Sequence, residues 1–179
     1  MSTVVSRLLN ASALTGLLAA SVFVPPVVAG QVGDKTFFDR VPRLVRTATD
    51  NLQTYIAGAT YEFTLSVPAD AGAPLEAVTI APDAATEFDV SRSVAYVNGS
   101  RSATLASVGG PQSTNSNAAT IVFDPPIQPG QTVTISLKAQ RNPDREGTRL
   151  FGITAYPAGE NGVGQFLGFG RLTFYSNAQ

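Results

Sequence analysis

The feature that most restricts this chain is a strict alternation of apolar and polar side chains. Residues 61–67, YEFTLSV, put Tyr61, Phe63, Leu65 and Val67 on one side of an extended chain and Glu62, Thr64 and Ser66 on the other. Residues 131–140 repeat the pattern, with Val133, Ile135, Leu137 and Ala139 opposite Thr132, Thr134, Ser136 and Lys138. A helix, at about 3.6 residues per turn, would scatter such a pattern around its surface, whereas a strand sends successive side chains to opposite faces. Each stretch therefore predicts a strand with one face on a core and the other wet.

Shorter stretches of the same kind recur roughly every ten to fifteen residues, bounded by Gly, Pro, Asn and Asp. Residues 75–81 point Val78 and Ile80 inward, and residues 149–156 share Phe151, Ile153 and Ala155 on one face. Weaker candidates are 88–90, 94–97, 103–108 and 120–123, and Phe37-Phe38 with 43–47 predicts a first strand kinked at Pro42. The run DPPIQPG predicts a proline-stiffened turn, its Pro129-Gly130 suited to type II because glycine supplies the positive φ. Asn161-Gly162 is a hairpin signal, and the polar run GGPQSTNSN over 109–117 reads as a loop. The expected fold is all-β, an immunoglobulin-like antiparallel β-sandwich of about 7–9 strands, built as a single domain over residues 30–179.

The opening 29 residues read as an address. MSTVVSR carries one base, Arg7, and no acid; a mostly apolar stretch covers 8–24; Pro25-Pro26 breaks it, and Val27-Val28-Ala29 supplies small residues before Gly30. That order describes a secretory signal peptide with cleavage after Ala29, rather than a retained membrane anchor. The expectation is an exported protein, in the periplasm or cell envelope first, the thylakoid lumen or the medium otherwise. No later stretch is long and apolar enough to span a bilayer.

Composition then removes whole classes of chemistry. The only methionine is Met1, and there is no His, Cys or Trp. Without imidazole or thiol there is no Ser-His-Asp triad, no thiolate nucleophile and no zinc, blue-copper or haem site built on those ligands. No metal and no cofactor is expected. The chain has 12 basic and 13 acidic side chains; loss of residues 1–29 removes only Arg7, leaving 11 against 13 and a net charge of −2. The densest basic cluster, Arg40, Arg43 and Arg46, has Asp34, Asp39 and Asp50 nearby, so nucleic acid finds no basic footprint.

Three residual chemistries stay conceivable. Ser136 and Lys138 are near neighbours on one strand face and could form a Ser–Lys dyad, though that face reads as solvated sheet. Glu87 with Asp89, or Asp144 with Glu146, could serve as the carboxylate pair of a glycan hydrolase if they flanked a cleft; surface charge is the plainer reading. Asp83, Glu87 and Asp89 could hold calcium, but their spacing matches no Asp-x-Asp-x-Asp-Gly loop.

One surface stands out. Alternation over 165–175 puts Phe166, Gly168, Gly170, Leu172 and Phe174 on one face and Leu167, Phe169, Arg171, Thr173 and Tyr175 on the other. The plain reading is a central strand buried on both sides, with glycines making room. The sharper one is a shallow aromatic groove of Tyr156, Phe166, Phe169 and Arg171, where Gly168 and Gly170 admit another backbone or a ligand.

The stretches FFDRVPRLV, GATYEFTLSVPADAGAPLEAVTI, FDPPIQPGQTVTISLKAQRNP and LFGITAYPAGENGVGQFLGFGRLTFY together resemble a cyanobacterial exported family catalogued as domain of unknown function 2808. The resemblance runs from about residue 37 to 175 and is thinnest over 84–119. It implies an envelope β-sandwich and supplies no reaction and no catalytic residues. The outline is also similar to periplasmic copper-carrier sandwiches, whose His and Met ligands are missing here. The expected function is a non-catalytic binding or structural module of the cell envelope, its partner an envelope protein or polysaccharide. The alternatives are a carboxylate-dependent glycan hydrolase and an assembly factor for lumenal membrane complexes.

Overall fold

In the computed structural model, which describes residues 30–83, 86–105 and 117–176, every regular element is a strand. In chain order these are β1 (Gly30–Val32), β2 (Lys35–Phe37), β3 (Arg43–Thr49), β4 (Thr60–Ser66), β5 (Leu75–Pro82), β6 (Phe88–Val97), β7 (Ser100–Leu105), β8 (Ala119–Ile127), β9 (Thr132–Ala139), β10 (Gly147–Pro157) and β11 (Gln165–Phe174). β1 and β2 form a small hairpin; the other nine make one sheet in the order β11-β10-β5-β8-β7-β6-β9-β4-β3, antiparallel throughout. The signal-peptide stretch and most of the 109–117 run lie outside the described residues.

The sheet doubles over on itself because it has one apolar face to hide. β4 lies across the core from β10 and β11: the Tyr61 ring centroid is 5.6 Å from that of Phe151 and 6.1 Å from that of Phe174, and Phe63 is 5.6 Å from Phe151. β7 pairs with β6 on one side and β8 on the other, so the two layers of the sandwich are hydrogen-bonded to each other along one flank. The inward rows read from the alternation are the core. Tyr61, Phe63, Leu65, Val133, Ile135, Leu137, Phe151, Ile153 and Ala155 are all fully buried. At about 1.5–3 kcal/mol for each large side chain, these rows supply the main drive for the fold.

The structure departs from the sequence reading at several points. The expected first strand is two, β2 and β3, in different sheets. The DPPI run is not a turn: it lies inside β8, where the pairing with β5 jumps from Ala77–Val122 to Leu75–Ile127. Pro125 and Pro126 fall in that jump, where no ladder hydrogen bond is asked of their missing N–H groups. The turn is confined to residues 128–131; Gly130 has φ +85° and the Gln131 N–H donates to the Gln128 carbonyl at 3.2 Å, as expected for type II. The 88–90 and 94–97 candidates are one strand, β6, with an irregularity between Asp89 and Val94. β6 turns into β7 through Asn98-Gly99, both at positive φ, a hairpin dipeptide.

β3 and β11 end the strand order and lie beside each other without a ladder between them. Gly170 makes this seam close: a Cβ there would sit 2.4 Å from Thr47 Oγ1 and 3.0 Å from Thr47 Cγ2. The gap expected at Gly170 is therefore filled from within the domain. Gly170→Ala should force β3 away from β11 and cost about 1–3 kcal/mol, read as a lower urea midpoint. An unchanged midpoint would show that the seam yields freely.

The β1–β2 hairpin docks on the β10–β11 connection. The Thr36 N–H donates to the Asn161 carbonyl (3.4 Å), the Val163 N–H to the Thr36 carbonyl (2.9 Å) and the Thr36 hydroxyl to the Glu160 carbonyl (2.8 Å). Asn161, at φ +49°, makes the turn that Asn161-Gly162 predicts. This fixes the loop beside the start of β11.

Candidate functional site

β11 carries the surface that matters, and a β-bulge decides its composition. β10 pairs Ile153 with Gly168 and then Thr154 with Phe166, so Leu167 is an extra residue without an opposite number. Gly168, at φ +117°, supplies the backbone shape this needs, and nothing lies within 4 Å of where its Cβ would be. The extra residue reverses the alternation. Phe166 and Phe169, assigned to opposite faces by simple counting, stand together on the outer face, 56% and 57% exposed. Their ring centroids are 5.1 Å apart, edge to face at 71°. Leu167 turns inward against the core instead.

The pair stands over Gly152 of β10, the partner of Phe169. A Cβ at Gly152 would be 3.5 Å from the Phe166 ring and 3.6 Å from the Phe169 ring. Gly170 opens no gap for a ligand, being filled by Thr47, while Gly168 shapes the bulge and has open space over it. Arg171 follows Phe169 on the exposed side, and no hydrogen bond or ion pair among the described residues reaches its guanidinium. Thr173 comes next, its hydroxyl 3.0 Å from that of Thr148.

Tyr156 lies apart from this pair. It faces outward on β10, two places beyond Thr154, and Gly164 passes over its ring so closely that a Cβ there would be 2.5 Å from Cε1. With Glu76, Thr79, Thr120 and Gly162 it lines a shallow depression of about 180 Å³. The structure thus joins Phe166, Phe169 and Arg171 in one row and gives Tyr156 to a neighbouring hollow.

A second apolar group was not legible. Leu52, Tyr55 and Tyr175 are exposed where the β3–β4 loop meets the end of β11. The Thr54 N–H donates to the Tyr175 carbonyl (3.0 Å) and the Tyr175 N–H to the Leu52 carbonyl (2.9 Å). The loop is held from below by Asn142, almost wholly buried. Its Oδ1 accepts the Tyr61 hydroxyl at 2.7 Å, and its Nδ2 donates to the carbonyls of Asn51 (3.0 Å) and Gln53 (2.8 Å). Burial pushes the Tyr61 phenol far above its ordinary value, and the Asp50 carboxylate adds to this, so the hydroxyl keeps its proton as a donor.

The candidate catalytic groups do not converge. Lys138 Nζ donates to Thr60 Oγ1 (2.6 Å) and the Gly58 carbonyl (3.2 Å), while Ser136 is buried. Asp89 accepts from the Ser91 hydroxyl (2.5 Å) and Arg92 Nε (2.6 Å), which hold its carboxyl below the usual range; Glu87 points into solvent before β6. Asp144 and Glu146 are exposed, Glu146 accepting from Ser176 at 2.9 Å. Neither pair lines the Tyr156 hollow or the depression of about 150 Å³ around Val97, Pro125, Pro126 and Ile127. Asp83 accepts the Leu150 N–H at 3.0 Å, and among the described residues no three acidic side chains gather as a metal site. The basic cluster pairs differently from the sequence reading: Arg40 with Asp70 (3.1 Å) and Arg46 with Glu62 (2.8 Å).

Fold and surface together define an antiparallel all-β domain that displays aromatic side chains on its outer face. The chain belongs to the family described as Protein of unknown function (DUF2808), whose model matches residues 35–174. No curated protein matches it in sequence. Among solved structures it is similar to a chain from a study of manganese lipoxygenase of Gaeumannomyces graminis and zonadhesin of Komagataella pastoris, at 9% identity and a TM-score of 0.41. That match covers 82% of this chain and 53% of the other, so the chain spans about half its length. It is also similar to the collagen-binding domain of a Staphylococcus aureus adhesin (10% identity, TM-score 0.37, 66% and 88% covered) and to the RrgA Jo.In complex (13%, 0.42, 73% and 76%). None of these likenesses transfers a ligand to this chain.

Proposed function

We propose that this protein is a non-catalytic binding or structural module of the cell envelope, exported by its first 29 residues and contacting protein or polysaccharide through the outer face of β11. The observation that carries the reading is the exposed Phe166–Phe169 pair. Two large rings kept in water on a rigid strand forgo the stabilisation of burial, and such a pair gains it when a partner covers it. Arg171 beside them offers a guanidinium that no hydrogen bond or ion pair among the described residues engages. The signal-like order of charge, apolar run and small residues in 1–29 supports export. An immunoglobulin-like arrangement of the sandwich is part of the same reading.

Replacing Phe169 and Arg171 together by alanine should release the protein from the envelope fraction without lowering its melting temperature, because both side chains are exposed. Cell fractionation with a thermal melt on the same variant makes the check. A folded double variant that still sediments with the envelope counts against the reading.

A further inference from the structure

Past the bulge, β11 alternates strictly. Phe169, Arg171, Thr173 and Tyr175 are all exposed, while Gly170, Leu172 and Phe174 between them are buried. The outer row therefore runs straight from the aromatic pair to Tyr175, a length of about 20 Å at the rise of a strand. At its far end the row meets the β3–β4 loop through the two backbone hydrogen bonds that Tyr175 makes with Leu52 and Thr54, and Tyr55 is the next residue of that loop. The stations along it are ring, guanidinium, hydroxyl and ring.

Tyr55 is the unusual member. It is 61% exposed and sits at φ +64°, a left-handed conformation that L side chains rarely adopt. Nothing about core packing asks for tyrosine there, since its ring is in water. Glycine or asparagine would hold the same backbone with less strain. The loop cannot relax, because Asn142 fixes Asn51 and Gln53 from within and the Tyr55 N–H donates to the Pro143 carbonyl at 3.1 Å. An exposed ring on a strained backbone that is held in place is the observation that brings Tyr55 into the contact surface.

The geometry also selects the kind of ligand. An extended peptide would bind by adding a strand, but the free edge of β11 is covered by β3 at the Thr47–Gly170 contact. Contact must therefore be made by side chains alone, over a long narrow row. Separated ring faces with hydrogen-bonding groups between them suit a chain of pyranose rings, whose C–H faces stack on aromatics and whose hydroxyls lie at the sides. The one unpaired charge on the row is Arg171, which favours a carboxylate on the sugar. We infer that the outer row of β11, from Phe166 to Tyr175 and on to Tyr55, is a binding track for a linear acidic polysaccharide. This rests on the reading of that face as the contact surface and adds its ligand.

The test is calorimetric titration of the full chain with hexagalacturonic acid and, separately, with cellohexaose. The acidic hexamer should bind, and the neutral one about 10-fold more weakly or not at all. Arg171→Gln should bring the two to the same affinity. Tyr55→Gly should weaken the acidic hexamer about 10-fold while its melting temperature holds or rises, which a structural tyrosine would not allow. Equal affinity for both hexamers, or a Tyr55→Gly variant that melts lower or binds unchanged, overturns the track. If neither hexamer binds while the Phe169 and Arg171 double variant still leaves the envelope, the polysaccharide assignment fails and the contact surface stands, with a protein as its partner.

Discussion

Truncating Phe151 to alanine should be the most damaging single change in this domain, at about 3–5 kcal/mol. Phe151 is fully buried on β10 and packs against rings of the opposite layer: Tyr61 at 5.6 Å and Phe63 at 5.6 Å in edge-to-face packing on β4, and Phe88 at 6.5 Å on β6. The loss has two parts. Roughly half is the transfer energy of the ring, and the rest is the cavity left where Tyr61, Phe63 and Phe88 cannot all move in. Strands tied into a ladder on both sides have little freedom to collapse, since β10 is hydrogen-bonded to β5 and to β11. In a domain of this size the melting temperature should fall by about 10 °C, seen by calorimetry. Phe151→Leu should recover most of it. A fall of only a degree or two would mean that the two layers are not held together by this cluster.

The second large effect is expected at Asn142. Asn142→Ala removes the acceptor of the Tyr61 hydroxyl and both donors to the β3–β4 loop at once. The phenol stays inside, and with its pKa raised by burial it remains a donor with no acceptor. An unsatisfied buried hydroxyl together with two lost loop anchors should cost about 3 kcal/mol or more. Tyr61→Phe should cost less, about 1 kcal/mol, because it keeps the ring and frees only one group of the network. The loop reports the difference independently. In Asn142→Ala the Thr54 amide, which donates to the Tyr175 carbonyl, should exchange with solvent faster, whereas in Tyr61→Phe it should stay protected. If both variants melt alike, Asn142 is not the anchor of the loop.

The two halves of the molecule differ in how openly the sequence declares them. β4 and β9 pair in register, Phe63 with Ile135 and Leu65 with Val133, and parity places every large apolar side chain of both strands in the core, Ser136 being the one buried residue on the other face. β11 looked equally readable and was not. One unpaired residue, Leu167, moved Phe166 to the face of Phe169 and made a site from two side chains that counting had separated. Gly168 is the only local sign of that bulge, and a glycine in a strand has several other uses. Parity puts Tyr156 on the outer face of β10, yet the loop that covers it is placed by β1–β2, a hairpin far away in sequence. Asn142 gave no sign at all. An asparagine in a polar loop reads as surface, and only the meeting of the β9–β10 and β3–β4 connections over Tyr61 makes it a buried hinge post.

The amino-acid order by itself determined that this chain makes strands, which residues of the regular ones face the core, and that imidazole and thiol chemistry are closed to it. Those properties belong to single residues and their nearest neighbours. Only the tertiary structure decided the strand order, the bulge that gathers the aromatic pair, the glycine seam that closes β3 on β11 and the docking of the β3–β4 loop, with Tyr55 in it, on the end of β11. Each of these depends on which strand lies alongside which, and in what register, and that choice is made by contacts between residues far apart in the chain.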